Sequence, residues 1–380
     1  MFDRARDLSC GFLPATAPLK KLPAAFDVWE QTALHLPKLL LSNQLRHILA
    51  KMPVFPVAKL KSPAEIERAM LILSFLGHAY VWGTKPPADK IPTSLAKPWC
   101  EVANILQRPP VLSYASYALH NWYRIDPEGP IACGNIALLQ NFLGGVDEEW
   151  FVLIHIDIEA RIVPALSVLA LAQQAAEEND LDTLAQHLTT IADALEAICD
   201  TLDRMPEKCD PYIYYNRVRP YIHGWKNNPA LPNGLVYEGV DSTPQFFRGE
   251  TGAQSTIIPS LDATLGITHE NDELSIYLRE MREYMPIEHR DFLGDLEKKG
   301  PIVRTCVQNQ HEKYPALREL YNQCVSLMVR FRLTHLQYAA TYIHQQSQQS
   351  SANSTIVGTG GTPFMKYLKK HEVESEKFKI

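Results

Sequence analysis

Thirteen histidines are the first place to look for chemistry, because imidazole can ligate a metal or move a proton near neutral pH. Two of them stand in informative patterns. His335, within VSLMVRFRLTHLQYAATYI, falls at helical spacing on the stripe of Tyr321, Cys324, Met328, Phe331 and Tyr342, which should turn it toward the core. An inward histidine is ordinarily a satisfied core residue; the functional alternative is a metal or haem ligand through one ring nitrogen. His155 lies in WFVLIHIDIEAR, where apolar and polar residues alternate from 154 to 161. As a strand, this run puts His155, Asp157, Glu159 and Arg161 on one face, and His-x-Asp is a ligand pair for non-haem iron when a distant His completes it. As a helix, only His155 and Glu159 share a face. For either geometry the plainer reading is a solvated polar face.

Tyr212, Tyr214 and Tyr215 are followed by Arg217 and Arg219. Core packing is the default for such a cluster, but an aromatic wall beside a cation also suits an amino acid with a ring and a carboxylate. Gly358 to Thr362 could offer backbone N–H groups to an anion, yet it lacks the G-x-x-x-x-G-K-[ST] spacing of a phosphate loop and reads more often as plain flexible chain. No G-x-S-x-G elbow supports an α/β-hydrolase nucleophile. The seven cysteines include no C-x-x-C pair, so a disulfide framework, a structural zinc and a covalently attached haem all lack support.

Helices must position most of these groups. Leu181, Leu184, Leu188, Ile191, Leu195, Ile198, Leu202 and Met205 keep one stripe buried until Pro206. Ser62-Pro63-Ala64-Glu65 carries the cap, first-turn proline and third-position glutamate of a helix running toward Trp82. Asn271 can cap another helix that ends at Pro286, and a long helix spans about 316 to 344. From about Tyr221 to Asp262 the chain is rich in Gly, Pro and Asn and has no helical or strand period; its aromatic content points to a loop folded over a site. The polar tract HQQSQQSSANST should be mobile. No repeat of 20 to 50 residues is visible. A chain of 380 residues suggests two domains. With 37 basic against 43 acidic residues, the net charge of -6 argues against binding nucleic acid or an anionic membrane. The N-terminal stretch lacks the apolar core of a signal peptide and no run of about 18 apolar residues exists, so the expectation is a reduced, soluble, cytoplasmic protein.

The motifs DVWEQTALHLP, AYVWG, RPPVLSYASYALHNW, GWKNNPALPNGLVYEG, FRGETGAQSTIIPSLDATLGI, MREYMPIEHRDFL, HLQYAATYI and GTGGTPFMKYLK follow one another along nearly the whole chain. In content and order they resemble the indoleamine 2,3-dioxygenase family. The resemblance implies an all-α protein with a smaller, mainly helical N-terminal domain (1–142) and a large helical haem-binding domain (143–380), which overrides the strand option at 151–161. It implies haem b held without a covalent bond, with His335 as the iron ligand, Arg332 beside a propionate and Asp262 supporting that arginine. On the substrate side it implies Arg219 for the carboxylate, Tyr214 and Tyr215 where mammalian members carry phenylalanines, Tyr114 and Phe151 as further pocket aromatics, and Thr359 on a loop near the substrate. His155 stands where mammalian members have a serine and resembles the distal histidine of the related tryptophan 2,3-dioxygenases, which meets the indole N–H.

The activity so implied is insertion of O2 across the indole C2–C3 bond of L-tryptophan or an indoleamine to give N-formylkynurenine, with an electron donor keeping the iron ferrous. The protein supplies orientation and excludes water. Two alternatives stand beside it: a haem protein of the same fold that binds oxygen or an indole-like ligand without efficient turnover, and a non-haem iron oxygenase using His-x-Asp with a distant His.

Overall fold

The computed structural model describes residues 9–270, 272–349, 358–360, 369–370 and 374–380. Ser62 accepts a hydrogen bond from the Glu65 N–H at 3.3 Å and Pro63 fills the first turn, opening α1 (Pro63–Trp82); such a cap contributes about 1 kcal/mol. Beside it packs α2 (Thr93–Leu106). Then come α3 (Val146–Arg161), α4 (Val163–Glu178) and α5 (Leu181–Asp203). On α5 the stripe Leu184, Leu188, Ile191, Leu195 and Ile198 is fully buried, Asp180 caps the helix through the Thr183 N–H, and Pro206 lies just beyond its end.

After α6 (Ile257–Leu265) the chain forms α7 (Glu273–Met281), α8 (Ile287–Lys298), α9 (Ile302–Gln310) and the long α10 (Pro315–Ala339), which packs along α5. A π turn over Ala340–His344 extends α10 into a short helix at Gln345–Gln349. The cap of α7 is Asp272, whose carboxylate accepts the Leu274 and Ser275 N–H groups while Ser275 Oγ accepts the Asp272 N–H. The cap is thus a reciprocal capping box at Asp272, and the expected cap Asn271 lies outside the described residues. The tract at 350–357 is also outside them.

Strands only brace the helices. β1 (Lys90–Ile91) runs parallel to β4 (Leu235–Tyr237) with Lys90 opposite Val236, and β4 pairs antiparallel with β5 (Asp241–Gln245). β2 (Trp122–Arg124) and β3 (Ile136–Leu138) form a hairpin. The region from Tyr221 is therefore not wholly irregular, and it gives way to α6 before Asp262.

Two hydrophobic cores lie within the molecule. One gathers residues from Leu13 to Phe142 together with Trp225, Tyr237 and Met281; the other gathers α4, α5, α9 and α10. α3 runs between them. Val152, Leu153 and Ile156 enter the first core, whereas Trp150, Ile154 and Ile158 enter the second. This explains why the segment imitates a strand: a helix buried on two sides places isoleucines at 154, 156 and 158 without being extended. The polar residues between them are not a solvated face either. Asp157 and Glu159 are fully buried. Among the described residues no helix is long and apolar enough to cross a membrane.

Candidate functional site

The buried stripe of α10 supplies Tyr321, Cys324 and Met328 to the core, and Phe331 and Tyr338 pack at its edge. At His335 the next turn meets a cavity of about 710 Å³ in place of apolar neighbours, so the imidazole is exposed to that space instead of packed. This corrects the expectation that His335 faces the core. Cofactor and ligand sites occupy roughly 300–1,000 Å³. The protein around the cavity still strips water from the ring. That desolvation, with a smaller contribution from His155, pushes the His335 pKa down to about 4, leaving it neutral at pH 7. Among the described residues neither of its ring nitrogens has a hydrogen-bond partner.

His155 reaches the same cavity from α3. Its Nδ1 lies 2.7 Å from the Phe151 carbonyl oxygen. A carbonyl can only accept, so Nδ1 carries the proton and Nε2 is left as an acceptor. Burial lowers the pKa of this ring as well. Phe151, with ring centroids 4.7 Å from His155 and 4.6 Å from Tyr214, continues an aromatic wall. Tyr114 stands edge-on to His155 at 6.0 Å.

Behind that wall is a buried polar cluster. Tyr114 Oη donates to Glu159 Oε1 at 2.9 Å and Ser255 Oγ donates to the same oxygen at 2.8 Å. Burial pushes the Glu159 carboxyl up to about 7 even against these two donors. Along another flank, Arg332 Nη2 donates to Asp262 Oδ2 at 2.6 Å, and His269 bridges Asp262 (3.2 Å) and Glu374 (2.8 Å). Burial alone would raise the Asp262 carboxyl, but the Arg332 charge and His269 hold it at about 2.

A backbone crossing builds the remaining edge. Trp225 and Lys226 N–H both donate to the Phe247 carbonyl, and the Glu250 N–H donates to the Ile222 carbonyl. A Cβ on Gly224 would sit 2.2 Å from the Gly249 nitrogen, and one on Gly249 would sit 2.3 Å from the Gly224 nitrogen, so only two glycines allow the segments to cross. The crossing presents Glu250 and Thr251 to the cavity. Thr359 also lines the cavity; its carbonyl accepts the Gly224 N–H at 3.3 Å, and Arg248 Nη1 donates to the Gly360 carbonyl. Gly361 and Thr362 are outside the described residues.

The cavity thus brings together His335, Arg332, Asp262, His155, Phe151, Tyr114, Tyr214 and Thr359. Arg219 and Tyr215 are not part of its wall. Both are fully buried, with the guanidinium 5.2 Å from the Tyr215 ring centre. Tyr212 is exposed. Asp157 is bound to Arg161 and to the Cys133 N–H, and among the described residues no three His, Cys, Asp or Glu side chains converge as a metal site. The non-haem iron alternative therefore loses its His-x-Asp pair. Sequence reasoning missed Glu250, His269 and Glu374. Glu159 was visible only as the helical neighbour of His155, and nothing local marks His269 and Glu374, which are 105 residues apart.

The family model for indoleamine 2,3-dioxygenase matches residues 6–378. The chain belongs to the indoleamine 2,3-dioxygenase family. It is 37% identical over 365 residues to indoleamine 2,3-dioxygenase 1 of Rattus norvegicus, covering 93% of this chain and 89% of that protein. It is 34% identical to indoleamine 2,3-dioxygenase 2 of Homo sapiens, covering 92% and 88%, and 32% identical to the 6-hydroxytryptophan 2,3-dioxygenase of Fusarium equiseti, covering 95% and 93%. The motif resemblance and the all-α fold are both borne out. As a member of the indoleamine 2,3-dioxygenase family, which is haem-dependent, the chain is an oxidoreductase of the dioxygenase type.

Proposed function

We propose that this chain binds haem b without a covalent bond through His335 and cleaves the indole C2–C3 bond of tryptophan or a related indoleamine with O2, giving N-formylkynurenine. The observation that carries this reading is one cavity shared by two neutral imidazoles with different commitments: His335 has both ring nitrogens open, whereas His155 has Nδ1 bound to backbone. A neutral, accessible imidazole is the form that ligates iron. Arg332, already turned toward Asp262, would pair with a propionate at the cavity edge.

Bound haem iron supplies the activation of O2; the chain's own residues orient the substrate and exclude water. Phe151, Tyr114 and Tyr214 form the wall against which an indole lies. His155 Nε2, as an acceptor, receives the indole N–H. Arg219, buried beside Tyr215 and outside the cavity wall, takes the substrate carboxylate by turning into the cavity, and Thr359 closes the edge. Orientation of this kind removes entropy from the barrier before reaction. No nucleic acid takes part, an electron donor keeps the iron ferrous, and seven free thiols suit the reducing cytoplasm.

The test is spectroscopic, then chemical. The haem-reconstituted protein should show a Soret band that His335→Ala abolishes or shifts, and the reduced protein mixed with L-tryptophan and O2 should form N-formylkynurenine. A Soret band indifferent to His335 overturns the ligand; a His335-dependent band with no N-formylkynurenine overturns the reaction.

A further inference from the structure

We propose that Glu250 is a specificity residue of this cavity, taking the side-chain ammonium of the indole substrate and so selecting indoleamines over indoles without that charge. The proposal deepens the reading of the cavity as an indole site and rests on it.

Glu250 is 3% exposed, yet it lines the cavity. Its backbone is fixed, not adjustable: the N–H donates to the Ile222 carbonyl at 3.1 Å, next to the Gly224–Gly249 crossing that admits no side chain. Among the described residues its carboxyl has no hydrogen-bond donor and no cationic partner. The nearby cations are committed elsewhere. Arg248 binds Glu280 at 2.7 Å and the Gly360 carbonyl, and Lys226 binds Glu280 at 2.6 Å.

Glu250 shares the cavity with the phenol rings of Tyr114 and Tyr214. It acts electrostatically on Tyr114, Tyr117 and Tyr214, of which Tyr114 and Tyr214 belong to the cavity wall. A buried carboxyl without a partner is costly, and a ligand cation removes that cost on binding. Burial pushes the Glu250 carboxyl up to about 8, as expected of an acid that lacks its counter-charge in the free protein. An ammonium beside it would favour the carboxylate, whose proton leaves to solvent, and complete the pair. Neither an indole carboxylate nor a neutral 3-alkylindole can do this.

Calorimetric titration of the haem-loaded ferric protein tests the inference with L-tryptophan, tryptamine, 3-ethylindole and indole-3-propionate. In the unaltered protein tryptamine should bind at least tenfold more tightly than 3-ethylindole, its near-isostere without charge. Glu250→Gln should weaken L-tryptophan and tryptamine tenfold or more while leaving 3-ethylindole and indole-3-propionate within twofold. Equal affinity of tryptamine and 3-ethylindole in the unaltered protein overturns the proposal even if the variant fails to fold. Equal losses for all four ligands overturn it too, because they mark general damage to the cavity. If no indole binds at all, the indole-site reading fails together with it; if indoles bind and the ammonium is irrelevant, only the role of Glu250 fails.

Discussion

On the flank of the cavity formed by α6 and α10, buried carboxylates are met by cations; on the flank below α3 they are met by hydroxyls or by nothing. Asp262 has Arg332 and His269, and Glu374 has His269 with Lys370 at 3.5 Å. Glu159 has only Tyr114 and Ser255, and Glu250 has no such partner among the described residues. The consequence is opposite protonation: Asp262 is held at about 2, whereas Glu159 rises to about 7. The ionic flank ties residues 374–375 to α6 and α10 through Asp262, His269 and the Arg332–Ser375 bond. Charge is thus compensated where the chain is anchored and left uncompensated beside the aromatic wall.

The sharpest way to break this contrast is to cut the ionic flank. Arg332→Ala leaves a buried carboxylate and Asp262→Ala leaves a buried guanidinium, so each should cost about 3–5 kcal/mol in denaturant unfolding. Because the two share one interaction, the double variant should cost at least about 1 kcal/mol less than the sum. Strict additivity would mean that the pair is not the anchor. The same flank has a pH signature. Asp262 lies at about 2 against its ordinary 3.8, so its contribution is present above pH 3.8 and lost as pH falls toward 2, about 2 kcal/mol in all.

Glu159 carries the opposite sign. Its carboxyl is raised from 4.5 to about 7, so between those values the folded protein binds more protons than the unfolded chain. Stability should therefore fall as pH rises from 4.5 to about 7, by about 3 kcal/mol. Glu159→Gln, which stays neutral, should flatten that slope in unfolding curves of the haem-loaded protein between pH 5 and 8. A variant with an unchanged slope would remove the electrostatic half of the comparison.

Most of the helical frame was legible in the residues because its signals are local. Ser62 and Pro63 open α1, and the leucine stripe ending at Pro206 marks α5. Failures arose where tertiary packing decides. The period-two run at 154–161 belongs to a helix between two cores, since Ile156 is buried in one and Ile154 and Ile158 in the other. Likewise, the stripe of α10 aligns His335 with core residues, and only the cavity beside that turn separates an imidazole open to that space from a packed one. Glu250 and Thr359 meet through the Gly224 crossing, a contact between segments more than a hundred residues apart that no local pattern encodes.

A finer test of the α3 flank removes one donor and keeps the acid. Ser255 Oγ and Tyr114 Oη converge on the same Glu159 oxygen, so Ser255→Ala leaves that oxygen a single donor. A hydrogen bond to an ionised group is worth about 1.5–3 kcal/mol and one between neutral groups about 1 kcal/mol. The loss in unfolding free energy should consequently be larger at pH 8, where Glu159 is ionised in the fold, than at pH 5, where it is protonated. It should also push the Glu159 carboxyl still higher, moving the end of the stability slope to higher pH. An equal loss at both pH values would show that Ser255 serves packing alone, and that the hydroxyls do not set the charge of this flank.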